Sequence, residues 1–318
     1  MSDDSKVLKK TILIINTGGT LSCTEKSDGL SPELSKETLL EKLSPVSNGA
    51  DLKFLDLFSL DSANISPKHW KKIADVIGEN YKFYGGFVII HGTDTLAYTS
   101  SMLSHMLKGI PIPVVITGSQ LPIANPVADA LENMRAAIYM VTSNNPGVFV
   151  AFDRKIMLAS CVSKTHSMSF DAFESINKDN VAIINAYGMK INKALLPKVD
   201  PFFKVRSNYS EEVFLLKLTP GLKCEIIDKL IEMGYKGLVI ESFGLGGLPF
   251  KDENFNEKVK NAVEKGLKVI ILSQCTYDGI NLDVYETGIK TKETGIIYMP
   301  EVTKEFAYTK LMWELGNN

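Results

Sequence analysis

Apolar residues in this chain fall either in short unbroken runs or at helical spacing, and the two patterns alternate. Residues 11–15 (Thr-Ile-Leu-Ile-Ile) are β-branched or aliphatic throughout, and similar runs recur at 87–90, 114–116 and 148–152. Such runs suit parallel strands buried on both faces. Between them apolar side chains recur every three or four positions. One helix is expected from Pro67, just after the capping Ser66, to about Tyr81, and others over 95–107 and 128–141. Strand and helix in that rhythm predict a parallel sheet with helices on both faces. Over 197–211 the rhythm fails, with two prolines and mixed charges, which predicts a linker. Beyond it, runs at 213–218, 237–240 and 268–272 predict strands, and 224–233, 256–265 and 303–315 predict helices. The expected fold class is α/β: a larger N-terminal doubly wound parallel-sheet domain over 1–196 and a smaller C-terminal α/β domain over 212–318.

Composition narrows the function classes. The 318 residues are 45% apolar and 23% charged, an ordinary globular balance, with a formal net charge of −2. No global basic field favours nucleic acid, and Lys68-His69-Trp70-Lys71-Lys72 reads as a solvated helix face. No apolar run approaches the ~20 residues of a membrane helix, and the polar first ten residues lack a signal-peptide core. Cys23, Cys161, Cys224 and Cys275 show no C-x-x-C pair or zinc-ligand spacing, so reduced thiols and a cytoplasmic protein are expected. Neither a nucleic-acid nor a membrane partner is expected, and no metal or cofactor.

Three clusters can carry chemistry. Thr17-Gly18-Gly19-Thr20 follows the first strand; it matches neither phosphate-loop pattern, and alone a structural turn is at least as good a reading as a site. His91-Gly92-Thr93-Asp94-Thr95 also follows a strand, where Thr93 or Asp94 can cap the next helix, serve catalysis, or both. Lys164, in Ser163-Lys164-Thr165-His166, is either solvated or tunes a neighbouring hydroxyl. There is no G-x-S-x-G elbow and no H-E-x-x-H motif. In open α/β sheets, ligands bind beyond the carboxyl ends of the strands, where the first two clusters fall.

In order along the chain, Thr17-Gly18-Gly19-Thr20, Asp61-Ser62, His91-Gly92-Thr93-Asp94-Thr95, Thr117-Gly118-Ser119-Gln120 and Lys164 resemble the bacterial-type L-asparaginase family, in its cytoplasmic type I branch. Phe170-Asp171-Ala172-Phe173, Ser242-Phe243-Gly244-Leu245-Gly246-Gly247 and Lys310-Leu311 extend the resemblance over essentially the whole chain. The resemblance implies an L-asparagine amidohydrolase in which Thr20 attacks the amide carbonyl, forms an acyl-enzyme and releases ammonia. It implies a second relay of Thr93, Asp94 and Lys164, although on pattern alone either threonine can attack first. Asp61, Ser62 and Ala63 would hold the amino-acid end of asparagine, with Asp94 meeting its ammonium. Backbone N–H groups at Gly19 and Gly92 would suit a carboxylate or an oxyanion. A homodimer or homotetramer is implied, with sites at the subunit interface.

Three departures stand out. The family's loop tyrosine, about ten residues past Thr20, is here Leu30, which can neither donate nor accept. Tyr285 either supplies that hydroxyl from a neighbouring subunit or merely packs. Gly247 stands where some relatives carry an asparagine that reaches the neighbouring subunit's substrate, so that polar contact is lost. The type I branch can carry a regulatory asparagine site near Ser273-Gln274-Cys275, but Glu241 stands where a basic residue would help hold a carboxylate, so regulation is not assumed. Glutaminase, another amidase of the family, and a non-catalytic amino-acid sensor remain the rival readings.

Overall fold

A computed structural model of the chain describes residues 11–26, 29–32 and 35–318, and the side chains of all of these except 23–26 and 29–32. The polypeptide divides into two compact units, Met1–Ser207 and Asn208–Asn318. Both are α/β, the first larger.

Five parallel strands form the heart of the N-terminal unit: β1 (Thr11–Gly18), β4 (Asp51–Leu60), β5 (Gly86–Ile90), β6 (Pro113–Thr117) and β7 (Gly147–Phe152). Their spatial order is β7-β6-β5-β1-β4. Helices α1 (Lys36–Leu43), α2 (Pro67–Asn80), α3 (Leu96–Met106) and α4 (Ala130–Thr142) connect them. One core joins Leu39 and Leu43 of α1 and Met134 and Ala137 of α4 to Ile12, Ile14, Val88, Ile90, Val115 and Phe149. The intervening residues Leu13, Ile15, Phe87, Ile89, Val114 and Ile116 point to the other face and are equally buried. Burial on both faces explains why these strands read as continuous apolar runs. α2 and α3 pack on each other, and Trp70 on α2 hydrogen-bonds Thr99 on α3.

Two features depart from a regular doubly wound sheet. With α1 and α4 sharing a core, the crossover β6-α4-β7 has the hand opposite to the other three, and so is the rare left-handed kind. The sheet is also not wholly parallel. β8 (Lys155–Leu158) turns back on β7, and β11 (Ala182–Asn185) and β12 (Gly188–Ile191) extend it antiparallel, to eight strands. β2 (Cys23–Lys26) and β3 (Gly29–Pro32) form a hairpin, and β9 (Val162–Lys164) pairs with β10 (Phe173–Ser175).

The C-terminal unit winds in one direction. β13 (Val213–Lys217), β14 (Gly237–Ser242), β15 (Lys268–Ser273) and β16 (Ile297–Tyr298) pair in parallel in sequence order. α5 (Ile226–Glu232) and α6 (Phe255–Glu264) share a core with Leu216, Leu238, Ile240, Val269 and Ile271. A short α7 (Glu286–Lys292) precedes β16. The last helix, α8 (Lys304–Asn317), packs on β13, β14 and β15; Leu311 lies so close to Gly237 that a Cβ there would stand 2.8 Å from its methyl. Among the described residues, no helix is long and apolar enough to cross a membrane.

Candidate active site

The strand order places the site. β1 leads by one crossover to β4 on one side, and the chain then passes back to β5 on the other. At such a reversal the loops leaving neighbouring strands diverge to opposite faces and open a crevice at the carboxyl ends. Here the turn after β1 meets the loops after β4 and β5. Gly18 and Gly19 have φ of +96° and +85°. A Cβ on Gly18 would lie 2.4 Å from the backbone N and O of Leu60, and one on Gly19 2.4 Å from the N of Gly92. Gly19 N–H also donates to Leu60 O at 3.1 Å. Both glycines are thus fixed by conformation and by close backbone approach. Thr17 Oγ1 ties β1 to β5 through Ile90 O at 2.7 Å.

Thr20 follows, at the start of the 3-10 turn Thr20–Ser22, half-buried and with no hydrogen-bond partner for its hydroxyl among the described residues. Asp61 caps its own turn by accepting from Ala63 N at 2.8 Å. Buried Ser62 accepts Asp94 N–H at 3.2 Å, while Thr95 Oγ1 donates to Ser62 O at 2.8 Å. The loops after β4 and β5 are therefore one hydrogen-bonded unit. Thr95 is the N-cap position of α3, so neither Thr93 nor Asp94 is occupied in capping.

Lys164, at the end of β9, donates to Thr93 Oγ1 at 2.9 Å and to Asp94 Oδ1 at 2.7 Å. Its side chain is largely buried while Asp94 is exposed, so it is an anchored ammonium, not a solvated one. Thr93 in turn donates to Gln120 Oε1 at 3.3 Å. The orientation of Gln120 follows from its other contacts: Nε2 donates to the carbonyls of Ser167 and Ser169 at 3.2 and 2.9 Å, leaving Oε1 for Thr93. The Gln120 backbone is held by Asp129, whose carboxylate accepts Gln120 N–H at 3.0 Å and Leu121 N–H at 3.2 Å. Asn133 bonds Asp129 Oδ2 at 2.8 Å and Gly118 O at 3.0 Å, bracing the loop after β6. His91 is fully buried, and loss of hydration pushes its pKa down to about 4, so the ring is neutral.

Of the residues singled out from sequence, Thr93, Asp94 and Lys164 touch directly, Asp94 and Ser62 are joined, and Gly19 lies against Gly92. Thr20 stands one residue beyond that contact. Leu30 pairs with Glu25 in the β2–β3 hairpin, and its side chain lies outside the described residues. Tyr285 is 62% exposed, on the rim of a cavity of about 330 Å³ in the C-terminal unit with Phe243, Leu245 and Asn281. Cys161, Cys224 and Cys275 are free. The sequence motifs include Gln120 but assign it no role, and they leave Asp129 and Asn133 unmarked; the one signal of that pair is the four-residue spacing that sets Asp129, the N-cap of α4, over Asn133 near its start.

A parallel sheet with hydroxyls, a carboxylate and an anchored ammonium at its reversal point is the framework of an α/β enzyme, and comparison with known proteins gives its kind. Residues 11–196 match the family model "Asparaginase, N-terminal", and residues 212–318 match "Glutaminase/Asparaginase C-terminal domain". The chain belongs to the asparaginase family. It is 38% identical to an L-asparaginase of Thermococcus kodakarensis, over 96% of this chain and 93% of that one. The solved structure of the thermostable L-asparaginase from that organism superposes with a TM-score of 0.89 at 37% identity, covering 97% and 93%. L-asparaginase I from Vibrio cholerae superposes at 0.85 with 28% identity, again covering 97% and 93%. A glutamyl-tRNA(Gln) amidotransferase component from Pyrococcus abyssi is 36% identical over 96% of this chain and 72% of its own length.

Proposed function

We propose that this protein is a cytoplasmic L-asparagine amidohydrolase, converting asparagine and water to aspartate and ammonia through a threonine nucleophile. The Thr20 oxygen bonds to the side-chain amide carbon, and the carbonyl electron pair moves onto oxygen. Collapse of that intermediate expels the protonated nitrogen as ammonia and leaves an ester on Thr20. Water attacks the ester carbon, and aspartate leaves as the Thr20 hydroxyl regains a proton. Thr93, Asp94 and Lys164 handle that proton and hold the attacking water, since an unassisted hydroxyl is a poor nucleophile. Asp61, Ser62, Ala63 and Asp94 hold the amino-acid end; the Gly19 N–H is taken by Leu60 O, which leaves the N–H groups beside Gly92 for the charged oxygens. The observation that carries this reading is the Lys164 ammonium bonded at once to Thr93 and Asp94, beside a turn whose Thr20 hydroxyl has no partner among the described residues.

The domain bounds of 1–196 and 212–318, and a homodimer or homotetramer with each site completed by a neighbouring subunit, belong to the same reading. Sedimentation velocity tests the assembly: a monomer at micromolar concentration counts against it. A second reading, ammonia production from glutamine, is favoured by the amidotransferase relatives. Glutamine is one methylene longer, worth about 1–3 kcal/mol of discrimination in a fitted pocket. Ammonia release from asparagine and from glutamine, measured side by side, decides between them. Faster turnover of glutamine overturns the first reading, and turnover of neither by folded protein overturns both.

A further inference from the structure

Beneath the Gly92–Thr93 peptide runs a buried chain of hydrogen bonds that the proposed chemistry leaves unused. Trp70 donates its indole N–H to Thr99 Oγ1 at 2.8 Å; Thr99 Oγ1 lies 2.8 Å from His91 Nε2; His91 Nδ1 lies 2.7 Å from Gly92 O. Thr99 and His91 are fully buried and Trp70 nearly so. Donor and acceptor chemistry leaves one arrangement of protons. An indole N–H only donates and a carbonyl only accepts, so Nδ1 must carry hydrogen. The ring is neutral, so Nε2 is an acceptor, and the Thr99 hydroxyl donates to it while accepting from Trp70.

This arrangement fixes the peptide on which it ends. The described peptide bonds are all trans, so the Thr93 N–H points opposite to the Gly92 carbonyl. With that carbonyl pinned to the buried ring, the N–H faces away from the core, and it has no acceptor among the described residues. We propose that His91, Thr99 and Trp70 are positioning residues that aim the Thr93 N–H at the oxyanion formed when Thr20 attacks the amide. The proposal rests on the amidohydrolase reading above. Negative charge on that oxygen is absent from the bound substrate and develops toward the transition state, so a misaimed donor lowers kcat and spares KM.

Two measurements test it on the full chain. Long-range proton–nitrogen NMR of the wild-type histidines, with the His91 signals identified by their loss in His91→Asn, should show Nδ1 protonated and Nε2 bare at neutral pH. In kinetics, Thr99→Val keeps the volume but breaks the chain, and kcat should fall on the order of 10- to 100-fold with KM within about twofold. Thr99→Ser, which keeps the hydroxyl, should restore most of the loss. An Nε2–H tautomer or a charged ring overturns the proposal. So do a loss confined to KM and equal losses in the Ser and Val variants. Wild type that shows the Nδ1–H spectrum but no amide hydrolysis refutes the reaction and with it the role, leaving the hydrogen-bond chain itself standing. Hydrolysis with the wrong tautomer refutes the chain alone.

Discussion

After β1 the N-terminal unit turns through Gly18 and Gly19, at φ +96° and +85°; after β14 the C-terminal unit turns through Gly244 and Gly246, at φ +46° and +104°. Locally these are the same device, a glycine turn at the end of a buried parallel strand. Their surroundings differ. A Cβ on Gly18 or Gly19 would run into the backbone of Leu60 or Gly92 at 2.4 Å, whereas one on Gly244 would meet nothing within 4 Å and one on Gly246 only the side chains of Ile280 and Leu282, at 3.0 Å. The difference follows from winding. β1 has neighbours reached in opposite directions, so three loops converge on its end, while β13 to β16 are laid down in sequence order. A glycine turn becomes a site when topology brings other strand ends to it, a property of the sheet that the turn's own residues do not encode.

The largest effect expected from that contrast is on turnover. Thr20→Ala should lower kcat on the order of 10³-fold or more while leaving the unfolding midpoint in place. Ser273→Ala, at a strand end of the C-terminal unit, removes a hydroxyl that donates to Gly244 O at 2.6 Å. It should cost about 1 kcal/mol of stability and leave kcat within about threefold. Urea titration and an ammonia-release assay on both variants separate the two; full turnover by Thr20→Ala would end the assignment of the nucleophile. Next in size, Lys164→Met leaves Thr93 without its ammonium and should lower kcat on the order of 10²-fold. Retention of full activity would make Lys164 a structural anchor only.

How much of this could be read from the chain follows the same physics. β1, β5, β6 and β7 were legible because both of their faces are buried, which enforces continuous apolar runs. β4 was not: at the sheet edge only Phe54 is buried, and Asp51, Lys53 and Asp56 interrupt its pattern. The β11–β12 hairpin is obscured likewise, with Ile183 half exposed and Tyr187 fully so. In the site, Thr93, Asp94 and Lys164 were found through short motifs, and the structure adds that they touch across some seventy residues of sequence. Gln120, Asp129 and the Trp70–Thr99–His91 chain escaped because their meaning lies in contacts between distant elements. A lone Trp, Thr or Gln at helix or loop spacing carries no mark of its partner.

Acid sensitivity should also divide the units. All four histidines, at 69, 91, 105 and 166, lie in the N-terminal unit. His91 has a folded pKa of about 4 against 6.5 when unfolded, so between those values the unfolded chain holds a proton that the folded chain refuses. Its contribution is fully present above about pH 6.5 and is lost as pH falls through 4, amounting to ~3 kcal/mol. His69, lowered first by desolvation and then by Lys68, adds a smaller loss of the same sign. Urea unfolding at pH 7 and pH 5, followed by hydrogen exchange in each unit, should show the loss in the N-terminal unit. His91→Asn should flatten most of it. Equal acid slopes in wild type and variant would mean that other groups govern the response.

The last effect is a difference between two substitutions, and it bears most directly on the contrast between the turns. Gly19→Ala and Gly244→Ala both place a side chain at positive φ, which costs roughly 1–2 kcal/mol in either turn. At Gly244 that is the whole cost, because the new methyl enters open space. At Gly19 it meets the N and Cα of Gly92 at 2.4 and 2.5 Å, and backbone cannot swing aside as a flexible side chain does. The turn or the loop after β5 must move, adding about 1–3 kcal/mol. Subtracting the two measured losses cancels the conformational part and leaves the cost of convergence. That remainder should be positive, about 2 kcal/mol by urea denaturation, and accompanied by a fall in kcat at Gly19 alone. A remainder of zero would mean that the strand ends of the N-terminal unit are packed no more tightly than those of the other. The crevice would then owe its chemistry to Thr20, Thr93, Asp94 and Lys164 without the reversal that brings them together.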